Sequence, residues 1–102
     1  MIARLWHGWT KPENADRYEE LVRNEVFPSF TPIKGYKGGY LFRNDGERET
    51  EFAALTLFED LEAVRRFAGE NYHVAVVPPE PRKLLSRFDQ TSKHYEIVFH
   101  RE

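Results

Sequence analysis

The first apolar segment of the chain has large side chains on both of its alternating faces. Residues 2–9 (Ile-Ala-Arg-Leu-Trp-His-Gly-Trp) are rich in bulky and aromatic types and too few for a helix, which predicts a β-strand. Alternation places Ile2, Arg4, Trp6 and Gly8 on one face and Ala3, Leu5, His7 and Trp9 on the other. Because both faces carry apolar groups, we expect the sheet that contains this strand to be covered on both sides.

Two helices are predicted. Residues 10–13 (Thr-Lys-Pro-Glu) have the spacing of a capping box with Thr10 as the N-cap, so the first helix begins there and continues to about Val26. Pro28 ends it, because proline disfavours a helical residue before it. Residues 61–68 form the second helix, with acidic residues at its start and Gly69 at its end.

Three further strands complete the pattern. Residues 40–43 and 50–58 are predicted strands, joined by a turn at Asn44-Asp45-Gly46. Residues 93–100 alternate apolar and polar and predict the last strand, while residues 80–88 are compatible with a short helix. The order β-α-β-β-α-β predicts a ferredoxin-like α+β sandwich, as a single domain of residues 1–102.

Two helices can cover only one face of a four-stranded sheet. The other predicted face is still substantially apolar, so it needs a partner layer. A second copy of the sheet is the simplest one, because closed two-fold dimers are the commonest oligomers. The sequence therefore predicts a homodimer.

Composition excludes several classes of function. The net charge is −2 and no basic stripe is present, so we expect no nucleic-acid partner. No apolar run is long enough to span a membrane and the N-terminus lacks a signal-peptide pattern, so a cytoplasmic protein without a membrane partner is predicted. The chain has no cysteine, which excludes disulfides and thiolate metal sites. Its aromatic content of 15% predicts a ligand cavity or a self-association surface.

Four pieces of the chain carry a family resemblance: residues 1–9, 32–43, 67–79 and 84–95, including Gly-Tyr-Lys-Gly-Gly at the second strand. In these pieces the chain resembles small stand-alone members of the antibiotic biosynthesis monooxygenase family, the dimeric α+β barrels. The resemblance implies a homodimer whose two sheets face each other, with a pocket in each subunit between its sheet and its helices.

The resemblance also implies two kinds of activity. Relatives include oxygenases that convert polycyclic phenols to quinones without metal or flavin, and haem-degrading oxygenases. Both use an Asn on the first strand and a Trp near the end of the third, and the haem group adds an axial His on the second helix. Here strand 1 offers Arg4 and His7, Phe58 stands at the Trp position, and His73 is the counterpart of the axial His.

His73 and Tyr72 are the predicted catalytic residues. An unperturbed imidazole titrates near pH ~6.5, so His73 could accept the proton of a phenolic substrate, and the neighbouring Tyr72 could share that role. The alternative is a histidine that only makes local contacts at the end of a helix. Substrate-binding candidates are residues that could wall a flat pocket and hold an anion: Arg4, Trp6, Trp9, Tyr36 and Phe67.

Each of these binding candidates also has a structural interpretation. Core or dimer packing is the commoner fate of such aromatic residues. For Arg4 we expect a structural ion pair with a carboxylate rather than a site for an anionic ligand, for which Arg43 is a second candidate. His7, His94 and Glu96 could approach one another on adjacent strands as a metal site, although no known ligand spacing supports it, and we expect none.

The sequence thus predicts a cofactor-independent monooxygenase that acts on a small aromatic or polyketide-like compound. The alternatives are a dimeric barrel that binds a ligand or serves as a scaffold without catalysis, and a haem-binding protein with His73 as the axial ligand.

Overall fold

The computed structural model describes all 102 residues, Met1–Glu102. Its strands are β1 (Ile2–Thr10), β2 (Tyr36–Asp45), β3 (Thr50–Phe58), β4 (Leu85–Phe88) and β5 (Lys93–Glu96). Its α-helices are α1 (Pro12–Leu21), α2 (Leu61–Ala68) and the single turn α3 (Pro79–Arg82). A π-helical segment, Val22–Val26, and a 3-10 helix, Phe27–Phe30, continue α1 toward β2.

The sheet is antiparallel and has the ferredoxin-like order predicted from the sequence. β3 lies between β2 and β1, and the other edge of β1 is shared by two short strands. β4 pairs with residues 8–10 of β1, and β5 pairs with residues 2–5. The fourth strand of the ferredoxin-like sheet is therefore split in two.

The short helix predicted over residues 80–88 is wrong for most of its length. Only Pro79–Arg82 is helical, and Leu85–Phe88 is strand β4. Phe88 pairs with Gly8 and Leu85 with Thr10. Pairing with β1 supplies hydrogen bonds from a distant part of the chain, and these override the local pattern.

The predicted last strand is too long. β5 ends at Glu96, and after the Ile97 amide donates to the Met1 carbonyl the chain has no further strand pairing. Val98 and Phe99 are 87% and 78% exposed, so the periodic apolar residues there lack neighbours in this chain to pack against.

The capping box predicted at Thr10 is also wrong. Thr10 remains in β1, and Lys11 precedes α1 without a side-chain cap. At α2 the sequence signals do hold: the Asp60 carboxylate accepts from the Ala63 amide at 2.9 Å, and Gly69 ends the helix at φ 87°. The strand continues through Thr10 because it pairs with Thr50 on β3 and Leu85 on β4.

The core lies between the sheet and the helices. One cluster joins Ala15, Tyr18 and Val22 to Phe52, and a second joins Ala63 and Val64 of α2 to Phe58. The opposite face of the sheet has no cover within the chain. Large side chains remain exposed on it, at 55% for Tyr40, 49% for Phe42 and 46% for Tyr95. None of the helices has the length and apolar character that crossing a membrane requires.

Candidate functional site

A small cavity lies between the sheet and the helical layer, with a volume of about 60 Å³. β1 supplies Arg4 and Trp6 to its wall, and β3 supplies Thr56. The remaining wall is mostly apolar and includes Phe30, Phe67, Val76, Val77, Pro78 and Pro81. Arg4 is the one charged residue that lines it, so a single cation lies on an apolar surface.

Arg4 is buried without a carboxylate. It is 4% exposed, and its Nη1 donates to the Tyr72 carbonyl and to His94 Nε2 at 2.9 Å, while Nη2 donates to the Val74 carbonyl at 3.1 Å. The predicted ion pair is therefore wrong: its cross-strand partners, Thr56 on β3 and His94 on β5, bring no acid. Burial lowers the pKa of Arg4 to about 10, so the group is still a cation at neutral pH.

His94 is the neutral partner of this cation. A guanidinium can only donate, so His94 Nε2 accepts from Arg4 and the ring proton is on Nδ1. That Nδ1 is buried without a hydrogen-bond partner. Burial, followed by the charges of Arg4 and His73, lowers the pKa of His94 from 6.5 to about 4.

This pKa shift predicts a pH-dependent stability. The unfolded chain binds a proton at His94 below its ordinary pKa of 6.5, whereas the folded chain does so only near pH 4. The free energy of unfolding should therefore fall as the pH drops from about 6.5 toward 4. The expected loss is only about 1 kcal/mol, because solvent screens the charge of a partly exposed ring. Urea denaturation across this range measures it. His94→Gln, which keeps an acceptor for Arg4, should lose this component, and an unchanged pH dependence in that variant would refute the assignment.

Tyr72 and His73 lie next to this network but do not line the cavity. The Tyr72 ring is 4.5 Å from the ring of His73 and 5.1 Å from that of His94, and the two histidine rings are 5.4 Å apart. His73 is exposed and Tyr72 half-buried. Arg4 donates to the backbone carbonyl of Tyr72 and not to its hydroxyl. The catalytic role predicted for His73 and Tyr72 stays a prediction.

The structure brings only part of the predicted binding set together. Arg4, Trp6 and Phe67 meet at the cavity, with the Arg4 guanidinium 5.3 Å from the Phe67 ring centre. Tyr36 packs between Phe30 and Phe58, 5.8 Å from each ring, and so belongs to the core. Trp9 lies on the open face, with the guanidinium of Arg87 3.9 Å above its ring. Of the aromatic residues predicted to line one pocket, only Trp6 and Phe67 line this cavity.

Arg43 does not offer a free positive charge. Its guanidinium contacts the carboxylates of Asp16, Glu19 and Asp45, each at 2.9 Å. Hydrogen bonds to these three acids raise the pKa of Arg43 further above its usual range. Of the two arginines considered for an anion, only Arg4 lacks a carboxylate partner.

The arrangement of His7, His94 and Glu96 considered for a metal is wrong. His94 shares the helix-covered side of the sheet with Arg4, whereas His7 lies on the other face, 3.4 Å from Asp89 and 3.8 Å from Glu51. Strand alternation separates them, because His7 is an odd number of residues from Arg4. No group of three or more His, Cys, Asp or Glu side chains is arranged to hold a metal ion.

Two polar residues of the cavity wall, Thr56 and Ser92, escaped prediction. Alternation along β3 places Thr56 on one face with Phe52 and Phe58, so a polar residue on a core face was available as a signal. Ser92 has no such signal. It precedes β5 in a loop, and its amide donates to the His73 carbonyl at 2.7 Å, which holds it against the cavity.

Several solved structures have a fold similar to that of this chain. No protein-family profile matches the sequence, and no curated protein is significantly similar to it. A Bacillus cereus protein assigned as an antibiotic biosynthesis monooxygenase superposes with a TM-score of 0.68 and 14% identity, covering 100% of this chain and 95% of that chain.

Haem-degrading proteins are among the other similar structures. MhuD from Mycobacterium tuberculosis, with two haems bound in its active site, has a TM-score of 0.65 and 16% identity, covering 100% of both chains. A single-residue variant of MhuD with two manganese protoporphyrin IX molecules per active site has the same score and identity, covering 100% of this chain and 99% of that chain.

These similarities confirm the predicted fold. The chain is a small α+β protein with a ferredoxin-like strand order, and it shares its fold with the Bacillus cereus protein and with MhuD. At 14% and 16% identity the likeness concerns the fold, so activity has to be argued from the residues of this chain.

Proposed function

We propose that the chain binds a small aromatic compound in the cavity at Arg4 and oxidises it with molecular oxygen. The observation that carries the proposal is the buried Arg4 guanidinium, which faces an apolar cavity and has no carboxylate of its own. A cation in a site of low polarity stabilises an anion strongly. A phenol bound beside Arg4 would therefore lose its proton more easily, and a phenolate donates electrons far more readily than a phenol.

The oxidation needs no reductant other than the substrate. One oxygen atom of O₂ becomes the second carbonyl oxygen of a quinone and the other leaves as water. The two hydrogens of that water come from the phenolic hydroxyl and from the ring carbon that is oxidised, so the phenol supplies all four electrons. In this scheme Arg4 holds the phenolate oxygen, while Trp6 and Phe67 contact the ring.

The cavity must widen to admit a whole ring. Its volume of about 60 Å³ corresponds to a few water molecules, well below the roughly 300–1,000 Å³ of ordinary ligand pockets. In this proposal the wall formed by residues 76–81 moves to admit the ring, since none of its backbone groups bonds to the sheet. Val76 in that wall is 45% exposed, so the cavity lies close to solvent there.

Removal of the Arg4 charge tests the proposal. In aerobic solution with a panel of electron-rich phenols, quinone formation and oxygen uptake should require the wild-type chain. Arg4→Met should lower kcat/KM by about 100-fold, comparable to loss of a donor that stabilises developing negative charge. Arg43→Met is the matched control and should retain activity, since Arg43 is already neutralised by acids. Absence of any phenol-dependent oxygen uptake would refute the oxidation.

The role of His73 is tested in the same assay. If His73 accepts the phenolic proton, His73→Ala should lower turnover by about 100-fold or more. Because the His73 ring is exposed, its removal should not affect folding, so a folding defect would not explain such a loss of turnover. Unchanged turnover would remove His73 from the mechanism and leave proton removal to solvent at the mouth of the cavity.

Haem does not fit the residues of this cavity. MhuD is described with haem, which disagrees with the expectation that this chain acts without a cofactor. No histidine lines the cavity, and its volume of about 60 Å³ is far too small for a porphyrin. A haemin titration decides the alternative: a shifted Soret band that is lost in His73→Ala would support haem binding through the exposed His73, and no shift would retire it.

Binding without turnover is the second candidate function. The observation that favours it is the absence of an ionisable base from the cavity wall, where the one tyrosine, Tyr18, has its pKa raised by burial. The oxygen-uptake assay separates the two candidates: ligand binding that requires Arg4, without consumption of oxygen, would support the non-catalytic function.

We also propose that a second copy of the chain covers the open face of the sheet. Tyr40, Phe42 and Tyr95 are each about half exposed there, and large apolar side chains exposed on one face of a sheet mark an interaction site. A two-fold pairing of two such faces would form the dimeric α+β barrel.

A further inference from the structure

Arg4 has hydrogen-bond donors that no group in the chain accepts. A guanidinium carries five N–H groups. The two on Nη1 are used by Tyr72 and His94, and one on Nη2 is used by Val74. The Nε–H and the second hydrogen of Nη2 have no partner in the chain, although the residue is only 4% exposed. The fully buried side-chain atoms without a partner are Thr10 Oγ1 and His94 Nδ1, so Arg4 Nε is not sealed off and is available to a ligand in the cavity that Arg4 lines.

The two unused donors are on nitrogens that share one edge of the guanidinium. Nε and Nη2 form the side edge, and when Val74 takes the outer hydrogen of Nη2 the two parallel N–H groups of that edge match the two oxygens of a carboxylate. The bonds to Tyr72, His94 and Val74 fix the plane of the group. The orientation of this edge is therefore set before any ligand arrives, which lowers the entropic cost of binding.

Ser92 is a second polar group without a partner in the same cavity. Ser92 is 4% exposed and lines the cavity, and its hydroxyl makes no hydrogen bond within the chain. Its backbone is held by the bond from its amide to the His73 carbonyl. A hydroxyl that can donate, in the wall of the same cavity as an incompletely used guanidinium, makes this cavity suited to an oxygen-rich headgroup.

The charge of the wall limits that headgroup to a monoanion. Arg4 contributes one positive charge, and no other charged side chain lines the cavity. A phosphate dianion would leave negative charge uncompensated in an apolar site. A carboxylate carries one negative charge, is planar, and is small enough for a cavity of about 60 Å³.

We propose that the ligand of this site is a small aromatic carboxylic acid, bound by its carboxylate to the side edge of Arg4 with Ser92 as an additional donor. This inference rests on the proposed function for the location of the ligand, and it makes a carboxylate, in place of the phenolate oxygen, the group that Arg4 binds. With the carboxylate on Arg4, the ring extends past Trp6 and Phe67 toward residues 76–81.

Benzoate and benzamide are the probes that test the headgroup. They have the same size and shape, but only benzoate is an anion with two acceptor oxygens. By calorimetric titration of the wild-type chain, benzoate should bind about 10- to 100-fold more tightly than benzamide. This comparison needs no variant, so a folding defect cannot affect it. Equal affinity for the two probes, or no binding of benzoate, would overturn the proposal.

Three variants then locate the binding. Arg4→Lys keeps the charge but loses the paired donors, and it should weaken benzoate binding by about tenfold or more. Ser92→Ala removes only a hydroxyl and should weaken it by about 3- to 10-fold. Arg43→Lys is the matched control and should bind benzoate as the wild type does. Full affinity in Arg4→Lys would show that a point charge suffices and would overturn the bidentate arrangement.

Failure of this inference is distinguishable from failure of the proposed function. If phenols are oxidised but benzoate binds no better than benzamide, the oxidation stands and the carboxylate is wrong. If benzoate binds through Arg4 but no phenol, including hydroxybenzoates, consumes oxygen, the carboxylate site stands and the oxidation is wrong.

Discussion

Phe42→Asp is expected to convert a homodimer of this chain into a monomer. Phe42 is 49% exposed on the open face of the sheet, and its ring stacks on Tyr40 with centroids 6.0 Å apart. A two-fold interface would contain the substituted residue twice, so two carboxylates would be buried in an apolar contact without cationic partners. Size-exclusion chromatography with light scattering should show that the mass falls by half.

Leu61→Glu is the matched control for this experiment. Like Phe42, Leu61 is a large apolar residue that is partly exposed, at 37%. It begins α2, on the opposite side of the sheet. An acid at the start of a helix is favourable, so this variant should fold and remain a dimer. A wild-type chain that is monomeric, or a Phe42→Asp variant that stays dimeric, would contradict the assignment of the open face.

Phe52→Ala should cause a large loss of stability. Phe52 is fully buried on β3, its ring is 4.7 Å from that of Tyr18, and it packs with Ala15 of α1 and Val22 of the π-helical segment. Removal of a buried phenylalanine side chain costs about 3–5 kcal/mol, because apolar contact is lost and a cavity remains. Since small domains are stable by only about 5–15 kcal/mol, this variant should approach unfolding at room temperature.

The same substitution at an exposed site provides the comparison. Phe99→Ala removes an identical side chain from the C-terminal segment, where Phe99 is 78% exposed, and should change stability by less than about 0.5 kcal/mol. Urea denaturation monitored by circular dichroism measures both variants. Similar losses in the two would contradict a core centred on Phe52.

Local patterns in the sequence were sufficient to predict the order of the main strands and helices. The two-faced segment at residues 2–9 became β1, which pairs with strands on both of its edges. The glycines of residues 35–39 occupy positions that need an unusual backbone conformation or close packing. Gly35 and Gly38 have φ of 93° and 108°, and a Cβ on Gly39 would lie 2.7 Å from the Leu55 carbonyl oxygen. Such signals can be identified from the sequence because they depend on residues that are near one another in the chain.

The candidate site depended on contacts that no local pattern specifies. His73 was predicted as a catalytic residue from its imidazole and from the family resemblance, whereas the polar residues that line the cavity are Arg4, Thr56 and Ser92, from three distant segments. The carboxylate expected for Arg4 is replaced by two backbone carbonyls and His94. Which groups meet a buried cation depends on strand register and loop packing.

What the sequence determined by itself is the order of strands and helices and the two-sided apolar character of the sheet, because periodicity and turn residues act within a few positions of one another. What only the tertiary structure decided is that residues 85–88 pair with β1 instead of forming a helix, and that Arg4 lies in the cavity wall with unused donors. Both outcomes arise from contacts between segments about 70 or more residues apart. The energy of such contacts exceeds the local preference of a segment for helix or strand, and the spacing of residues in the sequence does not reveal them.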